Sequence, residues 1–215
     1  MGLPAIAAGL PARSTGHTGA VEHRHRNESF GPIGTTLKKA AHALRSAEVP
    51  FLLGGSVAAW ARGGPESSND LDLMIRPEDV DRALTALDAE GFRTERPPEQ
   101  WLVKAWDGDV LVDLIHCPRQ LPITDEVLER GDEMEVLAVS IRVMALEDVL
   151  ATKLLALNEH ALDYEPLVQV ARSLREQIPW DRLRERTADS PYAAAFFTLA
   201  EGLGLTDAAA RTAAA

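Results

Sequence analysis

The sequence predicts an α+β fold: a small mixed sheet flanked by helices, followed by a C-terminal helical bundle. Three observations predict it. Between about residues 31 and 145, segments of helical period alternate with short apolar or alternating segments bounded by Gly, Pro, Asn and Asp. From Leu146 onward only the helical period remains. No stretch approaches the ~18 consecutive apolar residues of a membrane span, so no membrane partner is expected.

The elements follow in order. Residues 1–30 mix Gly, Pro and Ala with His17, His23 and His25, show no apolar period and read as a disordered tail. The histidines read as part of that tail, because nothing nearby would fix a metal's geometry. Leu37, Ala40, Ala41 and Leu44 define a helix over 35–48, with Lys38, Lys39 and Arg45 mostly on its outer side. Phe51, Leu52 and Leu53 form a buried strand stopped by Gly54-Gly55, and Ser56 is placed to N-cap a short helix over 57–62. Residues 71–75 form a second strand.

Pro77 opens the next helix, whose apolar stripe is Val80, Ala83, Leu84 and Leu87 and whose end is Gly91. Weaker strands cover 92–96 and 101–106. Asp107-Gly108 signals a hairpin leading into the apolar strand 110–115. A helical turn at 125–131 and strand pairs over 134–144 complete the mixed part. Helices follow at 146–158, 166–177, 180–187 and 191–203. The expected organisation is a tail (1–30), a mixed α/β domain (31–145), a helical domain (146–207) and a frayed Ala-rich end (208–215).

The chain has 215 residues and a formal net charge of −11. Its one cysteine, Cys117, allows no internal disulfide and fits a reducing, cytoplasmic setting. The charge is unevenly placed: 1–30 carry +1, 31–65 carry +3, 66–165 carry −15 and 166–215 are neutral. The acid therefore lies in the middle hundred residues, which excludes a broad electropositive nucleic-acid binder but leaves a narrow contact open.

Three of those acids stand out. Asp70 and Asp72 lie two apart in a strand and project to the same face, with Leu71 and Leu73 facing the core. Asp113 interrupts the apolar run Val110-Leu111-Val112-Asp113-Leu114-Ile115, where a charge is costly without a partner. If the two strands are neighbours, three carboxylates converge, a donor set suited to Mg²⁺ and to phosphoryl transfer. The third could also take the proton of an attacking hydroxyl. Upstream, Gly54-Gly55-Ser56 lies between a buried strand and a helix start, where backbone can approach a phosphate closely.

Gly55-Ser56, Asp70-x-Asp72 and the later strand Asp113 resemble the signature of the DNA-polymerase-β-type nucleotidyltransferase superfamily, over about residues 35–165. The resemblance implies a nucleotidyltransferase palm. Gly54, Gly55 and Ser56 would hold the triphosphate of an NTP, and three aspartates would hold two Mg²⁺. A nucleoside monophosphate would pass to an acceptor hydroxyl with release of pyrophosphate. Lys153, one of only four lysines against 18 arginines, falls on the flank of the apolar stripe Leu146, Val149, Leu150, Leu154 and Leu157. This segment, with Asp163 ten residues on, is similar to the helical region of AbiEii-like and MenT-like toxin nucleotidyltransferases, where a lysine and a later aspartate complete the active site. Ser68 and Asp70 fit the toxins' Arg-x-Ser/Thr-x-Asp run, but Glu66 stands where they commonly carry Arg. Arg62 is the candidate to replace that charge.

That resemblance implies a tRNA 3′ end as acceptor and an antitoxin protein as partner. A small hydroxylated acceptor is the alternative, because aminoglycoside and lincosamide nucleotidyltransferases share the Gly-Gly and Asp-x-Asp pattern and an acidic cleft suits a cationic antibiotic. A catalytically silent binding protein of the same fold is the third reading. His116 and Cys117 read as structural. Trp60, Trp106 and Trp180 read as packing, with Trp101 the one to watch near an acceptor groove. Arg172, Arg175, Arg182, Arg184 and Arg186, interleaved with Glu176, Asp181 and Glu185, read as a salt-bridged solvated face.

Overall fold

The computed structural model describes residues 18–66, 70–120 and 122–206. The expected strands assemble into one seven-stranded sheet. They are β1 (Phe51–Leu53), β2 (Asp70–Ile75), β3 (Arg93–Glu95), β4 (Leu102–Asp107), β5 (Val110–Ile115), β6 (Asp132–Val136) and β7 (Val139–Val143). Their spatial order is β3-β4-β5-β2-β1-β7-β6. The sheet is mixed: β2 runs parallel to β5 and β1 to β7, while the other neighbours are antiparallel. The expected α+β class is the one observed.

The helices are α1 (Thr18–Ser46), α2 (Gly55–Ala61), α3 (Val80–Ala89), α4 (Asp125–Glu129), α5 (Leu146–Ala156), α6 (Glu165–Leu174), α7 (Trp180–Arg186) and α8 (Pro191–Gly202). Leu71, Leu73, Ile75, Val103, Ala105, Val112 and Leu114 are buried on one sheet face, where α1 and α3 pack. The opposite face carries Asp70, Asp72 and Asp113, with α2 and α5 on its side. In α3 the stripe Val80, Ala83, Leu84 and Leu87 is buried as its period requires. Gly91, at φ +83°, turns the chain so that Phe92 N–H donates to Leu87 O.

Two local differences have physical reasons. The periodic signal starts a helix at about Thr35, whereas α1 begins at Thr18 and carries Pro32 inside it. Gly31, Pro32 and Gly34 have poor intrinsic helix propensity, which masks the earlier turns. Residues 1–17 of the expected tail and the end from 207, with the fraying segment 208–215, lie outside the described residues. Ser56 does not cap α2. Gly54 takes the cap position, and the Ser56 hydroxyl is turned to a distant partner instead.

The arginine-rich helices differ from a simple solvated face. Arg184 pairs with Glu201 and Arg175 with Glu176, but Arg182 and Arg186 reach back to Glu147 on α5. Asp148 is held by both nitrogens of an Arg130 fork at 3.0 Å and by Arg186 at 2.7 Å. These buried acids fasten the start of α5 to α4 and α7.

Candidate active site

The register of β2 and β5 builds the centre of the site. Asp72 is paired directly with Asp113 across parallel strands, and Asp70 with Leu111. Because strand side chains alternate in direction, Asp70, Asp72 and Asp113 share one face. The antiparallel partner of Asp113 on β4 is Lys104, whose Nζ lies 3.4 Å from Asp113 Oδ1. Sequence reasoning missed Lys104, although the scarcity of lysine that singled out Lys153 applied equally to it.

The Gly-Gly-Ser turn presses onto this row from the other side. Gly54 N–H donates to Asp72 O at 2.8 Å, which fixes the turn to β2. Gly55 has φ +59°, and a Cβ placed on it would stand 1.6 Å from Asp72 Oδ2, so only glycine fits. Ser56 Oγ accepts from Lys153 Nζ at 3.0 Å, across 97 residues of sequence. The turn, the paired aspartates and the lysine of α5 thus meet in one place.

The electrostatics follow from this packing. Burial pushes the Asp72 carboxyl up to about 6; the Lys153 ammonium opposes the shift, and the charges of Asp113 and Asp70 add to it. Burial also raises Asp113, against the pull of Lys104. Asp113 Oδ1 is buried with no hydrogen-bond partner among the described residues; Lys104 neighbours it as an ion pair only. Asp70 is exposed. Among the described residues no three His, Cys, Asp or Glu side chains stand in ligating arrangement as they are oriented. The donor chemistry nevertheless fits a hard divalent cation: three carboxylates on adjacent strand positions, one with a buried oxygen that takes no hydrogen bond.

The remaining expected residues fall in different places. Asp163 is exposed and accepts from Glu165 N–H at 3.0 Å at the start of α6. Ser68 lies outside the described residues. Arg62 does not replace the missing arginine. It donates to Met144 O and Val143 O and pairs with Asp132, tying α2 to β6 and β7. A cavity of about 880 Å³ opens beside the site. Gly55, Asp72 and Lys153 line one part of it, and Met74, Trp101 and Arg119 another. Trp101 is 41% exposed there. Arg119, also unanticipated, donates to Leu157 O at 2.9 Å and closes the cavity against the end of α5. Cys117 shares this cavity, while His116 lines a separate pocket of about 400 Å³.

Residues 35–208 match the sequence profile of a protein family described as "uncharacterised nucleotidyltransferase". No curated protein matches this chain in sequence. The crystal structure of ANT(2″)-Ia in complex with adenylyl-2″-tobramycin is similar at TM-score 0.56 and 15% identity, over 77% of this chain and 97% of that one. The solution structure of the antibiotic-resistance factor ANT(2″)-Ia is similar at TM-score 0.51 and 16% identity, over 80% and 95%. At such identities the likeness is one of fold.

Proposed function

We propose, from the premise that this chain belongs to that nucleotidyltransferase family, that it moves a nucleoside monophosphate from an NTP to an acceptor hydroxyl in a Mg²⁺-dependent reaction. The observation that carries the reading is the direct pairing of Asp72 with Asp113 beneath Gly55, with Lys153 tethered to Ser56. In this proposal Gly54, Gly55, Ser56 and Lys153 hold the triphosphate. Asp70, Asp72 and Asp113 hold the metal, whose positive charge would offset the negative charge of the phosphates during transfer.

Asp113 faces the acceptor and takes its proton. The acceptor oxygen forms a new bond to the α-phosphorus, the bond from that phosphorus to the bridging oxygen breaks, and pyrophosphate leaves with the electron pair. Lys153 neutralises charge on the leaving phosphates, an effect that preorganised cations supply most strongly in a site sheltered from water. Residues 31–145 would act as the palm and 146–207 as the helical part that brings Lys153, with Asp163 in an accessory place. Among the described residues no helix is long and apolar enough to cross a membrane.

For the acceptor, the toxin resemblance supports a tRNA 3′ end, with an antitoxin partner in the cytoplasm. The adenylyl-tobramycin bound by the structural neighbour supports an aminoglycoside-type acceptor as the second reading. Incubation with each α-labelled NTP, Mg²⁺ and either total RNA or an aminoglycoside panel tests both. Label on RNA is expected. Label on an aminoglycoside alone would reverse the order of acceptors, and pyrophosphate release with no acceptor at all would overturn transfer as the activity.

A further inference from the structure

The sheet face that holds the aspartates continues past them to the β3 edge. Strand pairing lays out two rows across it. One reads Asp72, Asp113, Lys104, Glu95, and the other Asp70, Leu111, Trp106, Arg93. Lys104, Trp106 and Arg93 therefore lie beyond Asp113, on the side away from Gly55, Ser56 and Lys153. The sequence reads Trp106 as packing, but its side chain is only half-buried. The Arg93 guanidinium lies 5.2 Å over its ring. The indole N–H of Trp106 has no acceptor among the described residues.

We propose that Lys104, Trp106 and Arg93 form the acceptor subsite, and that its occupant is the 3′-terminal nucleotide of a single-stranded RNA. The inference rests on the nucleotidyl-transfer reading above and names the substrate class for that same site. Two arguments carry it. In an in-line displacement the attacking oxygen and the leaving group lie on opposite sides of the phosphorus. With the leaving phosphates gripped by Ser56 and Lys153 on the β1 side of Asp72, the acceptor approaches from the β4 side, across Asp113. The second argument is the chemistry found there. An aromatic face flanked by cations is the arrangement that stacks a base and pairs with its phosphate.

Beyond Asp113, the β3–β4 part of this face carries Lys104 and Arg93 against the single acid Glu95. Its one acid on β3, Glu95, is 3.5 Å from Arg93, and Asp107 on β4 is turned to the other face, where Thr36 and Lys39 hold it. Lys104 neighbours Asp113 and so places a cation next to the group that receives the hydroxyl's proton. A base stacked on Trp106 would bring its ribose hydroxyls toward Asp113, one register position further along the face.

The test uses the full chain with Mg²⁺, α-labelled NTP and a 15-nucleotide single-stranded RNA. Trp106→Ala and Lys104→Gln are each expected to raise KM for the RNA at least tenfold while KM for NTP stays within about twofold. Trp106→Phe, which keeps an aromatic face and guards against misfolding of the alanine variant, is expected to restore most of the affinity. RNA should quench tryptophan fluorescence of the wild type more than that of Trp106→Phe. An unchanged RNA KM in Trp106→Ala, or a rise in NTP KM instead, overturns the subsite. Labelling of tobramycin but not RNA by the wild type overturns the substrate class and leaves nucleotidyl transfer standing. Absence of pyrophosphate release with every acceptor overturns both.

Discussion

Two groups of acids in this molecule are treated in opposite ways. Glu147 and Asp148 at the start of α5 are wrapped by Arg130, Arg182 and Arg186, with a forked hydrogen-bonded pair at 3.0 Å. Asp72 and Asp113 sit side by side on neighbouring strands, where burial raises the proton affinity of both and the charge of Asp113 adds to the shift on Asp72, and one oxygen of Asp113 lacks a hydrogen bond. The first group is neutralised from within and holds helices together. The second is left short of positive charge on a face open to ligands. A charge that the fold neutralises serves the fold, and a charge that it leaves unmatched is available to a ligand.

This contrast is sharpest in the largest expected effect. Asp72→Asn should lower nucleotide transfer by ~10³-fold or more, read as labelled product per minute, with no loss of thermal stability at pH 7. Asp148→Ala should do the reverse. It strands Arg130 and leaves Arg186 with Glu147 as its remaining carboxylate partner, and should cost about 3 kcal/mol, a fall in Tm of about 6–12 °C in a scanning fluorimetry assay. Transfer by the molecules still folded should stay within a few-fold. If Asp148→Ala abolished activity below its Tm, the division between the two groups would fail.

Lys153→Gln comes next, with a fall in kcat of about 10²-fold and little change in Tm, since the lysine donates to Ser56 and its charge acts on Asp72. The smallest effect is one of pH. Asp72 has a pKa of about 6 in the folded chain against 3.8 unfolded, so the folded state binds this proton more tightly. The stability it contributes is fully present below pH 3.8 and is lost as pH rises through about 6. With the carboxylate partly open to water, the loss should be ~1–2 kcal/mol. Urea melts of the metal-free protein between pH 4 and 7 should show it. Asp72→Asn should flatten that slope, and Mg²⁺ should raise stability at pH 7 but not at pH 4.5.

The parts of the site legible in the sequence share one property: a local pattern forces them. Alternation put Asp70 and Asp72 on one face, an apolar run made Asp113 conspicuous, and the double glycine marked a turn between strand and helix. Lys153 was found because lysine is rare in this chain. Arg62 was misplaced because a cation near a motif says nothing about direction; its guanidinium is taken by the carbonyls of Val143 and Met144. The half-burial of Trp106 beneath the Arg93 guanidinium has no local signature in the sequence. Helix α1 was cut short because Gly and Pro obscure a period that neighbouring turns continue.

The sequence by itself determined the element types, the face on which each carboxylate lies, and the turn where a side chain would not fit. These follow from periods of two and 3.6 residues and from steric rules that act within a few residues. Only the tertiary structure decided that β5 lies beside β2 in the register that pairs Asp72 with Asp113. It alone brought Lys153 to Ser56 and set Lys104, Trp106 and Arg93 on the far flank. Strand order and register come from how a whole sheet buries its apolar face against α1 and α3, a sum over distant contacts that no local pattern contains.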